Sequence, residues 1–252
     1  KKHLKSAYLA GSNYPVEDKN DVALASVPSS ASTLNSDLKL SSFFGNFQYD
    51  YDNKYYLSGS YRLDGSSRFA SGHRWASFWS VGAKYRISNE KFMESTKDWL
   101  TNLSIRSSYG TTGNQEVGSG WFAASDLYSF GYNYNGIPGS AHSQFGNPDL
   151  KWETTAKFNV GMDISLFNRV NITLDYYNHQ TKDMVFDVPI SYTTGLGSYA
   201  MNLGKLENQG FEMSVNALLI KNNVLTWDAT VTGSYNKNKV KKLSTDNPIE
   251  SN

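Results

Sequence analysis

The sequence predicts an all-β protein, a transmembrane antiparallel β-barrel of which part is present. Three observations lead there. Apolar and polar residues alternate over runs of about ten residues. Short connections between those runs take turns with long ones. Tyr and Trp gather near both ends of the apolar stripes. Strand side chains alternate faces with period two, so each run has one apolar and one polar wall. A run of that length crosses a bilayer at a tilt, and a barrel needs such a wall on its lipid side.

Eight segments show the alternation. Phe43, Gly45, Phe47, Tyr49 and Tyr51 oppose Phe44, Asn46, Gln48 and Asp50; Tyr55 to Leu63 and Trp79 to Ile87 follow the same rule, as does Leu103 to Gly110. The clearest pair is Lys157 to Leu166 and Val170 to Tyr177, joined near Asn168 and Arg169. Phe158, Val160, Met162, Ile164 and Leu166 share one face there, and Val170, Ile172, Leu174 and Tyr176 share the next. Phe211 to Leu219 and Leu225 to Tyr235 complete the set, and Lys2 to Ala10 reads as the tail of one more strand.

Asp50–Lys54, Phe167–Val170 and Lys221–Val224 read as tight turns, and Ser88–Trp99 as a short connection with a helical turn around Phe92. Gly11–Leu40, Asp64–Phe78, Thr111–Lys151 and Lys182–Lys205 read as long loops on the other side. Outer-membrane barrels have this asymmetry, with short periplasmic turns and long extracellular loops. It places Tyr49, Tyr51, Tyr55 and Trp227 near the periplasm and Tyr61, Trp79, Tyr109, Tyr176 and Tyr235 at the outer end. Aromatic residues suit both interfaces.

Composition narrows the function. The 252 residues carry a net charge of +1, so there is no nucleic-acid footprint. No cysteine means no disulfide framework and no thiolate metal site, and the four His show no ligand spacing. No catalytic nucleophile motif and no phosphate-binding loop occurs. The chain begins Lys1-Lys2-His3 and ends in a polar stretch, and it reads as a segment of a longer protein.

Several motifs then stand in order: Arg62-Leu63-Asp64-Gly65-Ser66-Ser67-Arg68-Phe69, Arg74-Trp75, Tyr85-Arg86-Ile87-Ser88-Asn89-Glu90 and Ser108-Tyr109-Gly110-Thr111-Thr112-Gly113-Asn114-Gln115. Gly146-Asn147-Pro148-Asp149-Leu150-Lys151-Trp152-Glu153, Asp175-Tyr176-Tyr177-Asn178 and Asn208-Gln209-Gly210-Phe211-Glu212 follow. Together they resemble the C-terminal half of the barrel in SusC/RagA-type TonB-dependent transporters of the Bacteroidota. The resemblance implies a plugged barrel of about 22 strands. Residues 1–252 would supply eight or nine of them within one barrel domain, with the plug domain and closing strands absent. It also implies an outer-membrane location, a SusD-like surface lipoprotein as partner, energy from TonB–ExbB–ExbD through the missing N-terminal region, and no enzymatic step or cofactor. The implied cargo is a glycan oligosaccharide; a peptide, a siderophore or cobalamin are the alternatives. A reading of another class is a secreted carbohydrate-binding β-sandwich, which requires the apolar face to be buried between sheets.

Two residue groups are candidates for cargo contact. Trp121, Tyr128, Tyr132 and Tyr134 lie in the longest loop, where aromatic rings can stack on sugars or peptide side chains, or pack the loop on its neighbours. Arg62, Arg106, Asp163 and Asp175 lie on the polar face, where they can meet cargo or plug, or pair across strands to hold register. Asp64-Gly65-Ser66-Ser67 and Asn147-Pro148-Asp149 read as turns.

Overall fold

A computed structural model describes residues 1–12, 27–116 and 120–242. Its centre is one eight-stranded antiparallel sheet, built from β3 (Leu40–Tyr51), β4 (Tyr55–Ser66), β5 (Trp75–Arg86), β6 (Leu100–Asn114), β9 (Glu153–Leu166), β10 (Val170–Pro189), β11 (Ser198–Lys221) and β12 (Thr226–Lys242). The strands lie in chain order, except that β6 pairs directly with β9. The sequence between them folds back as a separate hairpin, β7 (Leu127–Tyr134) with β8 (Ile137–Gln144). A second separate hairpin joins β1 (Lys2–Ser12) to β2 (Val27–Leu38). The eight alternating segments are the eight strands of the sheet, and Lys2 to Ala10 is a strand as expected.

Register keeps like with like. Val160 faces Tyr176, which faces Phe211, which faces Tyr235; Met162, Leu174 and Met213 form the next row, and Ile164, Ile172, Val215 and Val231 the one after. A slip of one residue would send every apolar side chain to the other wall. Nothing among the described residues covers this wall. Phe43, Tyr49, Val231 and Tyr235 keep 64%, 54%, 63% and 68% of their surface exposed. A sandwich would bury them, so the single open layer overturns the secreted-sandwich reading. No helix among the described residues is long and apolar enough to cross a membrane, which says nothing about strands.

The short connections are locally determined. Asp52 and Asn53 (φ 56° and 49°) turn the chain between β3 and β4, and Phe167 and Asn168 (φ 54° and 56°) between β9 and β10. Left-handed pairs of this kind match the twist of the flanking strands, and Asp52, Asn53 and Asn168 are residue types that tolerate them. Asn222 Oδ1 accepts hydrogen bonds from the backbone N–H of Val224 (2.9 Å) and Leu225 (2.7 Å). Between β5 and β6 there are two 3-10 turns, Ile87–Asn89 and Lys91–Thr96, the second spanning Phe92.

The long connections are shorter than expected. β10 runs to Pro189 and β11 starts at Ser198, so only eight residues of the Lys182–Lys205 loop lie between the strands. A bulge at Asp183 (φ 57°) shifts the register and ends the clean alternation while pairing continues. Asp64, Gly65 and Ser66 belong to β4 rather than to a turn, because Gly65 pairs with Trp75 and the Ser66 N–H bonds to the Arg74 carbonyl (3.0 Å). Within Gly11–Leu40, residues 27–38 form β2, and 13–26 lie outside the described residues.

Candidate functional site

The polar wall has a charged centre. Gly161, Asp163 and Asp175 from β9 and β10 stand beside Lys84 and Arg106 from β5 and β6. Arg106 reaches across two strands: its Nη2 lies 2.7 Å from Asp175 Oδ2 and its Nε 3.4 Å from Asp163 Oδ2. Lys84 Nζ stands 4.0 Å from the same Asp163 oxygen. Gly161 permits this. A Cβ there would come within 2.6 Å of the guanidinium carbon and collide with the Asp175 carboxylate. Two carboxylates against one arginine and one lysine leave the cluster balanced. The wall beside it, from Gln48 and Asp50 through Tyr56, Ser58 and Gly82 to Asn159, forms a recess of about 570 Å³. Small side chains at Ser58, Gly82 and Ser108 make it hollow.

Arg62 is not part of this cluster. It pairs with Asp64 two residues along its own strand, at 3.1 Å. Of the four charged candidates, the structure therefore brings together Arg106, Asp163 and Asp175.

The aromatic candidates occupy the β7–β8 hairpin or its base. Tyr128 stacks on His142, with centroids 4.2 Å apart, and His142 packs on Phe145 at 5.3 Å. Tyr132 and Tyr134 are exposed, Tyr134 to 85%. Phe130 (81%) and Ile137 (67%) add to this surface. Trp121 precedes the hairpin and is half-buried.

What sequence reading missed is the support beneath that hairpin. Phe69, Phe78, Ala123, Leu150 and Trp152 form a buried cluster, with Ala76, Val185 and Ala200 against it. Trp152 lies 5.3 Å from the Phe69 ring and 5.7 Å from Phe78, and its Nε1 donates to the Arg74 carbonyl (3.1 Å). Asn147 is buried; its Nδ2 donates to the Ala200 carbonyl (2.8 Å) and its Oδ1 accepts from the Asp149 N–H (3.0 Å). Asn202 binds both sides of Lys151: its Nδ2 donates to the Lys151 carbonyl and its Oδ1 accepts the Lys151 N–H, each at 2.9 Å. The motif around Asn147-Pro148-Asp149 is thus a joint between three outer connections. The signal was present in Phe69 and Trp152, but their partners are dozens of residues away.

At the opposite rim, the Tyr55 and Tyr85 rings stack at 5.0 Å, and both hydroxyls donate to Glu90 Oε1, at 2.7 and 3.2 Å. Lys54 Nζ stands 3.6 Å from Glu90. The Tyr55 hydrogen bond, with help from Lys54, holds the Glu90 carboxyl below its ordinary range. Asp52 likewise raises Lys54. Among the described residues, no group of three or more His, Asp or Glu is placed to hold a metal ion.

The family model described as "TonB dependent receptor-like, beta-barrel" matches residues 4–251. TonB-dependent receptor P39 of Formosa agariphila is 40% identical over 212 residues, 84% of this chain and 20% of that protein. TonB-dependent receptor SusC of Bacteroides thetaiotaomicron is 33% identical over 213 residues, covering 81% and 21%. Among solved structures, the RagAB peptide importer in its "closed-closed" state aligns with a TM-score of 0.85 at 31% identity, over 97% of this chain and 28% of that one. The siderophore receptor PirA of Pseudomonas aeruginosa aligns at 18% identity and a TM-score of 0.52, which shows a shared fold and no more. The chain spans about a fifth of the length of the curated relatives it matches.

Proposed function

Because this chain belongs to the TonB-dependent receptor β-barrel family and so to the outer membrane, we propose that its full-length protein imports a nutrient by TonB-driven transport of the SusC/RagA type. The single observation behind this reading is the uncovered apolar wall of eight long strands. Water would leave it costly, and a bilayer covers it. The rest of the barrel, the plug and the TonB-contacting segment belong to the remainder of that protein. A SusD-like lipoprotein is the proposed partner on the outer side, where the β7–β8 hairpin exposes its aromatic residues. TonB–ExbB–ExbD supplies the work, so the chain needs no reaction of its own.

The proposed cargo is an oligosaccharide, taken by stacking on Tyr128, Tyr132, Tyr134 and Trp121 and passed along a wall that includes Arg62, Arg106, Asp163 and Asp175. The supporting features are the exposed rings and the likeness to SusC. A peptide cargo is the second reading, favoured by the close alignment with a peptide importer.

Deletion of the full-length gene, followed by growth on single glycans and on peptides, tests both. Loss of growth on one glycan, restored by the intact gene but not by one lacking its TonB-contacting segment, is the expected result. A defect confined to peptides reverses the cargo and keeps the transporter. No defect on any of these sources removes the function.

A further inference from the structure

The outer aromatic row Tyr176–Phe211–Tyr235 is followed by lysines on the same outward face. Outward rows continue as Asn178–Gln209–Lys237, then Gln180–Glu207–Lys239, then Lys182–Lys205–Lys242. Lys241 lies at the register shift, and its Nζ reaches Glu207 Oε2 at 2.5 Å. Gln180, Lys182, Lys205, Glu207 and Lys241 line a crevice of about 200 Å³. Among the described residues, Glu207 is the carboxylate within this patch, held by Lys241 and by Asn178 Nδ2 (3.2 Å), so the lysines outnumber it.

Successive outward rows are about 6.6 Å apart along a strand, or about 5 Å in height at a barrel tilt. The lysines thus stand about 5–15 Å above the aromatic row, from the headgroup layer outward. The outward rows above the other aromatics differ. Tyr61–Trp79 is followed by Leu63–Ser77 and Gly65–Trp75, and Tyr109–Phe158 by Thr111–Ala156 and Gly113–Thr154. None of these is charged. Among the described residues, lysines cluster in one sector of the outward rim, with the exposed Lys39 standing alone beyond Ser41 on the β3 side.

We propose that the outward face of β10–β12 binds phosphorylated headgroups of a glycolipid in the outer leaflet. The inference rests on the outer-membrane reading above. The aromatic row would meet the acyl boundary, Lys237 and Lys239 the nearest phosphate, and the crevice between Lys182, Lys205 and Lys241 the next. Attraction between clustered lysines and an anionic leaflet is additive and screened by salt.

The test uses the full-length protein, extracted from outer membranes in mild detergent and delipidated. Native mass spectrometry follows retention of bis-phosphorylated lipid A and of its dephosphorylated form. The wild type is expected to prefer the phosphorylated lipid by about tenfold or more, a preference weakened by salt. The combined variant Lys205→Gln, Lys237→Gln, Lys239→Gln and Lys241→Gln is expected to lose that preference, and the four matching Arg substitutions to keep it. Heat-modifiable migration on gels reports barrel folding for every protein. If the Gln variant does not fold, Lys205→Gln alone is expected to reduce retention. Equal retention of both lipids by the wild type overturns the proposal. So does displacement by millimolar inorganic phosphate, which would mark a general anion site, or unchanged lipid binding with loss of a co-purified lipoprotein. Absence of the wild type from the outer membrane would sink the transporter reading itself.

Discussion

The two rims of the sheet are built by opposite means. At the short-turn rim, the three tight turns are fixed by neighbours in sequence: Asp52 and Asn53, Phe167 and Asn168, and Asn222 bonding to Val224 and Leu225. At the long-loop rim, order comes from residues far apart: Phe69 on Trp152, Trp152 on the Arg74 carbonyl, Asn147 on Ala200 and Asn202 on Lys151. The difference teaches where change is cheap. A damaged turn disturbs one hairpin; a damaged joint releases three connections together.

The largest expected effect is at the joint. In the full-length protein, Trp152→Ala should cost about 3–5 kcal/mol locally, as for other buried aromatic truncations. Limited proteolysis should then cut segments 67–74 and 120–152 at a protease concentration that leaves the wild type intact. Resistance equal to wild type would mean the outer rim is not one unit. Next comes Arg106→Met, in the wall between the rims, which leaves Asp175 without its partner and Asp163 with Lys84 alone. A fully buried pair would lose about 3–5 kcal/mol. These side chains keep 26–38% of their surface exposed, so only about 1–2 kcal/mol is expected, read as a drop in the temperature at which heat-modifiable migration is lost. Asn202→Ala should cost about 1–2 kcal/mol through the freed Lys151 backbone. Its signature is faster hydrogen exchange at residues 147–152, with β3–β4 unaffected.

At the short-turn rim the effects shrink. Asn53→Ala meets a positive φ at one residue, a cost of about 1 kcal/mol, and faster exchange confined to β3 and β4. The smallest effect is pH-dependent. Glu90 has its folded-state titration depressed, so its bond to Tyr55 stabilises the rim above the ordinary carboxylate value of 4.5 and fades as pH falls through the depressed one. Glu90→Gln should therefore differ from wild type at neutral pH and converge with it in acid. A gap that persists or widens in acid would remove Glu90 from that role.

The same contrast explains how much could be read from sequence. The eight strands and the three tight turns rest on period-two alternation and on Asn and Asp at turns, which are local signals. The pairing of Arg106 with both Asp163 and Asp175 was one of two open readings, since alternation placed them on one face but gave no register. Strand β2 went unseen because Val27-Pro28-Ser29-Ser30-Ala31-Ser32 offers little apolar contrast. The upper halves of β10 and β11 went unseen because Asp183 breaks the alternation without breaking the ladder. The Phe69–Trp152 cluster lay beyond periodicity altogether, since its members come from turns and strand ends.

The β7–β8 hairpin begins and ends at one place, with Leu127 opposite Gln144. It shares no strand pairing with the main sheet, and the joint lies beneath it. A unit with adjacent ends and its own pairing can be exchanged whole, as insertions at loop tips generally are. Descendants of one ancestral wall can thereby acquire new surface-exposed recognition while every residue that meets the lipid stays the same, and grafting this hairpin between relatives becomes the natural route to re-targeting such a protein.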